Sequence, residues 1–253
     1  MPNTSFCRAS SITSPIRQGK DAEEIARLRE AGAAVDRIAT RLQRGEIPLV
    51  GQTEAAVSAE LGRQILEEGH DRVNFAIVAA GENAASPHHH AGERVIQAGE
   101  PVLCDFGGTM IGDDGIGYCS DITRNIWTDD RPDREYLEAY AVLHEAQAAA
   151  VRAATVGTPC QDVDRAARQR IVDAGFGSYF VHRTGHGIGV EAHEDPYIVE
   201  GNTQPLAHGN AFSVEPGIYI EGKWGMRLED IVAAADDGPD PLNCADHHLA
   251  VLG

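Results

Sequence analysis

No stretch of this chain approaches the roughly 20 consecutive apolar residues of a membrane-spanning helix, and the opening MPNTSFCRASSITS has no apolar run of its own. Positive charge is scarce as well, with 21 Lys and Arg against 39 Asp and Glu and a formal net charge of -18. A surplus of that size repels phosphate backbones and anionic lipid, which argues against nucleic acid or a membrane surface as partner. Five cysteines, Cys7, Cys104, Cys119, Cys160 and Cys244, make an odd number without CxxC spacing. That usage suits a reducing cytoplasm better than a disulfide framework, so a cytoplasmic location is expected.

What is present suits a compact enzyme. With 253 residues and 42% hydrophobic content the chain can bury a sizeable core. Residues 1–15 read as a flexible N-terminal arm and residues 16–253 as one domain. Ile25, Leu28, Gly32, Val35, Ala39 and Leu42 recur at steps of three and four, which predicts an amphipathic helix from about Asp21. Thr53 can cap a second helix whose buried stripe is Val57, Leu61 and Ile65, and Gly69 is placed to end it. Strands are expected over 75–80 and 102–106, the latter closed by Gly107 and Gly108, and a partner strand over 118–127. Helices resume over 133–154 and about 162–174, after Gly157 and Pro159 break the pattern.

The second helix pair echoes the first. ILEEG at 65–69 and IVDAG at 171–175 end the pairs in similar words, and Val57 matches Val163 at the same offset. Helix, helix, strands, repeated once, predicts an α+β fold in which duplicated halves surround a curved antiparallel sheet, with the site in the groove between them.

Asp105, Asp121, His186, Glu215 and Glu229 each fall at the end or edge of an expected strand. Four carboxylates and one imidazole are the mostly oxygen ligand set that divalent Mn, Co, Fe or Zn accepts, and two such ions about 3.5–4 Å apart can share a hydroxide. Metal-assisted hydrolysis is the reaction class this predicts. The glycines beside His186 are expected to leave room for substrate.

SPHHHAGERVIQAGEPVLCDFGG, GYCSDITRNIW, VHRTGHGIGVEAHEDPYIVEGN and AFSVEPGIYIEGKWGMRLEDIV, four blocks in order, resemble the catalytic domain of Xaa-Pro peptidases, the proline dipeptidase and aminopeptidase P group. Methionine aminopeptidase and creatinase share its pita-bread fold. The resemblance runs from about Ile16 to the C-terminus. It implies a dinuclear-metal exopeptidase, Mn foremost among its metals, that cuts between an N-terminal residue and proline in short peptides with proline at the second position. Asp105 is then similar to the ligand of one ion, Asp121 and Glu229 to the bridging carboxylates, His186 to the sole nitrogen ligand, and Glu215 to a ligand that also shuttles a proton. His88 resembles a histidine that holds the scissile peptide, His193 one that stabilises the oxyanion or donates a proton, and His182 one that lines the proline pocket. Methionine aminopeptidase-like chemistry is the neighbouring alternative. Creatinase-like hydrolysis of a guanidino compound and a non-catalytic peptide-binding module stay open as well.

Plainer readings cover other residues. His89, His90, His144, His208, His247 and His248 read as surface histidines. The acidic pairs at 113–114, 129–130 and 236–237 sit beside Gly or Pro and read as solvated turns. Cys104 and Cys119 alternate away from Asp105 and Asp121 and read as packing residues. Arg227, two residues before Glu229, shares that ligand's face and can orient a ligand carboxylate, a surface arginine being the alternative.

The sequence departs from the resembled pattern in three places. The segment from Asp105 to Asp121 is long, which predicts a bulged or extended loop beside the metals. No Lys or Arg lies between His193 and Glu215 to clamp a dipeptide's carboxylate. The usual N-terminal domain is expected to be absent, which leaves a homodimer open.

Overall fold

The computed structural model describes residue 6 and residues 8–253, so residues 1–5 and 7 of the expected arm lie outside the described residues. Ser10–Gln18 forms helix α1, and the segment behind it is pinned by charge: Arg17 Nη2 and Lys20 Nζ each lie 2.6 Å from the Glu194 carboxylate. A tertiary ion pair of this kind leaves no periodic signal in the sequence.

Helix α2 (Ala22–Gln43) starts with a reciprocal cap. Asp21 accepts from the backbone N–H of Glu23 and Glu24, and the Glu24 carboxylate accepts from the Asp21 N–H, all at 2.9 Å. Thr53 caps α3 (Glu54–Glu67), and the chain leaves it through Gly69 at φ 104°, a left-handed turn that favours glycine. Four strands follow: β1 (Arg72–Ala80), β2 (Pro101–Ile111), β3 (Gly117–Cys119) and β4 (Ile122–Trp127). The second half repeats the plan with α4 (Arg134–Ala153), α5 (Cys160–Asp173), β5 (Gly185–Gly187), β6 (Glu194–Ile198), β7 (Ala211–Val214), β8 (Gly217–Ile220), β9 (Trp224–Arg227), β10 (Asp230–Ala235) and β11 (Gly238–Pro241). The short β12 (Ala250–Val251) closes the chain.

The strands form two five-stranded sheets and the two-stranded β8-β9. One five-stranded sheet runs β1-β2-β4-β12 with β3 on β2; the other runs β11-β10-β7-β5-β6. Pairing is antiparallel except between β12 and β4. A backbone bridge between Thr123 and Glu229 joins the sheets. Each helix pair covers one sheet: Val57, Leu61 and Ile65 pack with Val78, Val102 and Phe106, while Leu143, Val163 and Ile171 pack with Phe212, Val214 and Val232. This is the pita-bread arrangement, two related halves with a groove between them. Among the described residues no helix is long and apolar enough to cross a membrane.

The segment from Asp105 to Asp121 is a hairpin and not a bulged loop. Strand β2 continues to Ile111, and β3 pairs back in the register Thr109↔Cys119 and Ile111↔Gly117. The same register carries on into Asp105↔Thr123, so the extra length projects at the tip. There Asp114 pairs with Arg27 at 2.8 Å. The strand expected over 118–127 breaks at Ser120–Asp121, where the Ser120 carbonyl lies 2.0 Å from the place a Cβ on Gly107 would occupy. Only glycine fits there.

Candidate metal centre

Asp105 stands opposite Thr123 across the β2–β4 ladder. Strand alternation then puts Asp105, Thr123 and Asp121 on the face away from Cys104, which packs in the core as read from the sequence. Glu229 arrives from the other sheet through its bridge to Thr123, whose hydroxyl donates to Glu229 Oε2 at 2.6 Å. His186 occupies the middle of β5. Its flanking glycines lie hard against neighbouring strands: a Cβ on Gly185 would meet the Ser213 carbonyl at 1.8 Å, and one on Gly187 the Asp195 carbonyl at 2.3 Å. Glu215 follows β7 directly. Ser213 links these last two, its hydroxyl accepting from His186 N–H and donating to Glu215 Oε1, both at 3.0 Å.

All five side chains are buried and line one cleft of about 220 Å³. Ligand atoms of Asp105, Asp121 and Glu229 lie within 4.8 Å of one another, and so do those of His186, Glu215 and Glu229. Glu229 therefore belongs to both groups. A third such group, Asp121, His186 and His193, brings a second imidazole into reach; the sequence reading had a single nitrogen ligand.

The donor set fits divalent cations. Asp105 Oδ1 and Asp121 Oδ1 are buried and have no hydrogen-bond partner among the described residues, an expensive condition unless a cation satisfies them. Burial, and then the charges of the neighbouring carboxylates, push Asp121 and Glu229 well above the usual carboxylate range. Burial pushes Glu215 up to about 7 against the pull of Arg227. A bound cation would reverse these shifts by supplying the missing positive charge. Burial, and then the neighbouring His193, hold His186 well below the ordinary imidazole value. Neutral His186 can donate from Nδ1 to the Gly187 carbonyl at 3.1 Å, which leaves the Nε2 lone pair facing Glu215 at 3.2 Å.

The other predicted residues border this centre. The His193 ring lies against that of His186, tilted by 51° with centroids 3.9 Å apart, and His88 meets His182 edge-on at 5.5 Å. His182 Nδ1 is 3.6 Å from Glu215 Oε2, and burial lowers its pKa to about 4. Arg227 is buried and so is not a solvated arginine: it reaches Asp105 Oδ2 at 2.5 Å, the Tyr219 hydroxyl at 2.8 Å and Thr123 Oγ1 at 3.1 Å.

Two histidines read as surface residues are tied to buried carboxylates instead. His89 Nε2 lies 2.8 Å from Glu54 Oε2, and His247 Nε2 contacts Asp230 Oδ2. His70, to which the sequence gave no signal, is buried beside Ser120 Oγ at 2.8 Å. Arg183 is the main omission. It lines the cleft, lies over the Tyr197 ring at 5.2 Å, keeps a buried Nε without a hydrogen bond, and has no carboxylate within 4.0 Å among the described residues. Its place three residues before His186 is the signal that the sequence carries.

Residues 26–236 match the pattern of metallopeptidase family M24. The chain belongs to that family. It is similar to the probable dipeptidase PepE of Mycobacterium tuberculosis, 44% identical over 244 residues that cover 96% of this chain and 63% of that protein. An Xaa-Pro dipeptidase of Lactobacillus delbrueckii subsp. lactis is 40% identical over 255 residues, covering 99% and 67%. Among solved M24-like structures, the dipeptidase PepE of Mycobacterium ulcerans superposes with a TM-score of 0.91 at 44% identity, over 96% of this chain and 64% of that one. The Thermococcus sibiricus prolidase gives 0.90 at 40%, covering 96% and 65%. The chain thus spans slightly less than two thirds of the PepE relatives it matches.

Proposed function

We propose that this chain is a dinuclear-metal exopeptidase that hydrolyses the bond between an N-terminal residue and proline. The observation that carries the proposal is the convergence of four buried carboxylates and a neutral imidazole on one cleft, with two carboxylate oxygens left unpaired. Asp105, Asp121, His186, Glu215 and Glu229 would hold two divalent ions, manganese being the proposed native metal and Co, Fe or Zn the substitutes. When bound, the ions supply Lewis acidity to the scissile carbonyl and to the attacking water.

The remaining steps fall to the chain's own groups. Glu215, held by the Ser213 hydroxyl at the edge of the cleft, takes a proton from the attacking water and returns it to the leaving proline nitrogen. His193 stands over His186, placed to stabilise the developing oxyanion. His88 and His182, edge to edge at 5.5 Å, form the side of the cleft that receives the proline ring, and the low pKa of His182 keeps it uncharged there at neutral pH. Arg227 orients Asp105. Arg183 supplies the positive charge that the segment after His193 lacks, and its unpaired guanidinium is suited to a substrate carboxylate. That favours dipeptides over longer peptides, and short Xaa-Pro peptides are the proposed partners.

Product analysis by mass spectrometry tests the proposal, using Mn-loaded protein with Ala-Pro, Ala-Pro-Ala-Ala and Met-Ala-Ser. Free alanine from Ala-Pro is the expected result. Methionine release without cleavage of either proline peptide would overturn it in favour of methionine aminopeptidase chemistry.

A further inference from the structure

The turn that carries His88 to the cleft is held from behind by one buried carboxylate. His88 itself is exposed, its side chain makes no hydrogen bond among the described residues, and its ring meets that of His182. Its place is therefore set by the backbone of the segment 80–92. Glu54, the first residue of α3, is fully buried and accepts from four donors spread along that segment. Oε1 takes the Ala80 N–H at 2.8 Å and Asn83 Nδ2 at 3.0 Å, while Oε2 takes His89 Nε2 at 2.8 Å and the Gly92 N–H at 3.4 Å. The start of α3 also grips the far end through its backbone, with the Glu54 N–H donating to the Arg94 carbonyl at 3.0 Å and the Ala55 N–H to the Gly92 carbonyl at 2.9 Å.

A buried carboxylate is costly unless it is paired and hydrogen-bonded. Burial raises the pKa of Glu54, but the bonds from Ala80, Asn83 and His89 outweigh it and hold the group below the usual carboxylate range. An ionised carboxylate can only accept, so His89 donates from Nε2 and its ring orientation is fixed. The cleft side of the turn is held as well. The Ser86 carbonyl accepts from the His89 N–H at 3.2 Å, and the Pro87 carbonyl accepts from Arg227 Nη1 at 3.3 Å. His88 thus lies between one residue tied to Arg227 and another tied to Glu54.

We propose that Glu54 and His89 are positioning residues, which set the place of His88 against the substrate without touching it. The inference rests on the reading of His88 as a wall of a peptidase cleft. A misplacement of about 1 Å in such a wall can cost about 100-fold in rate.

Steady-state kinetics on Ala-Pro with Mn-loaded protein, at a temperature where every variant is folded, test it. His89→Ala should lower kcat/KM about 10–100-fold with bound Mn per chain unchanged. His89→Gln, whose amide can still donate to Glu54, should recover most of the loss, and His90→Ala should lose nothing. In a His88→Ala background, His89→Ala should change kcat/KM by less than about twofold, because its effect runs through His88. The same loss in both backgrounds, or none in either, would overturn the proposal. Failure of the wild type to cleave any Xaa-Pro peptide would sink the reading of the reaction separately. Crystal structures of wild type and His89→Ala then decide the placement: a displaced His88 supports it and an unmoved one overturns it.

Discussion

Arg227 of β9 and Asp105 of β2 form a buried ion pair at 2.5 Å across the groove between the two halves of the molecule. The same guanidinium reaches Tyr219 and Thr123, and Thr123 in turn donates to Glu229. One arginine therefore steadies one proposed ligand, Asp105, directly on one sheet and another, Glu229, through a threonine on the bridge to the second. Arg227→Lys keeps the charge but loses the fork. It should reduce metal affinity or kcat/KM by about 10–100-fold, the range for losing such an outer partner. Metal titration followed by calorimetry checks this, and unchanged affinity and turnover would show that Arg227 is only packing.

The metal-free cluster should be a liability to folding. Glu215 has its pKa raised to about 7 in the folded chain, so between about 4.5 and 7 the folded state holds a proton that the unfolded state releases. Its contribution to stability is then present at low pH and lost as pH rises through that window. In chelator-treated protein, Glu215→Gln should become progressively more stable than wild type from pH 4.5 to 7, read by urea unfolding. A difference that does not change with pH would contradict this, and adding Mn should reverse the ranking at pH 7.

Gly107→Ala should cost about 2–4 kcal/mol, a steep penalty for one methyl group. The added Cβ would sit 2.0 Å from the Ser120 carbonyl, at the break in pairing just before Asp121. Denaturant melts measure this, and a loss under 0.5 kcal/mol would mean that the strand relaxes freely.

His89 and its neighbour His90 should separate sharply. His89→Ala removes a partner of Glu54, which is fully buried, and should cost about 1–3 kcal/mol. His90 is exposed, and His90→Ala should stay within about 0.5 kcal/mol of wild type. Thermal melts of the two variants side by side decide the point.

The features legible in the sequence were those carried by local pattern. The caps at Asp21 and Thr53, the α2 and α3 stripes, the Asp105/Cys104 alternation and the echo between halves all follow from residue spacing, and the family could be read by resemblance from the four blocks. What escaped depends on partners distant along the chain. Arg17 and Lys20 tie the end of α1 and the residues after it to Glu194, a partner distant along the chain. His89 and His247 look like surface residues until Glu54 and Asp230 are seen behind them. The glycines beside His186 serve neighbouring strands, a role that needs the sheet to be visible. Arg183 has no periodic or motif signal of its own, and only the folded cleft brings it beside His182, His186 and His193.

The most direct test of the central claim is to titrate Mn into chelated protein while following proline release from Ala-Pro by mass spectrometry, with Ala-Pro-amide in parallel. The account predicts no turnover without metal, activity that saturates as two ions bind per chain, and faster cleavage of Ala-Pro than of its amide. Hydrolysis by the chelated protein, or no hydrolysis of either substrate at saturating metal, would contradict it.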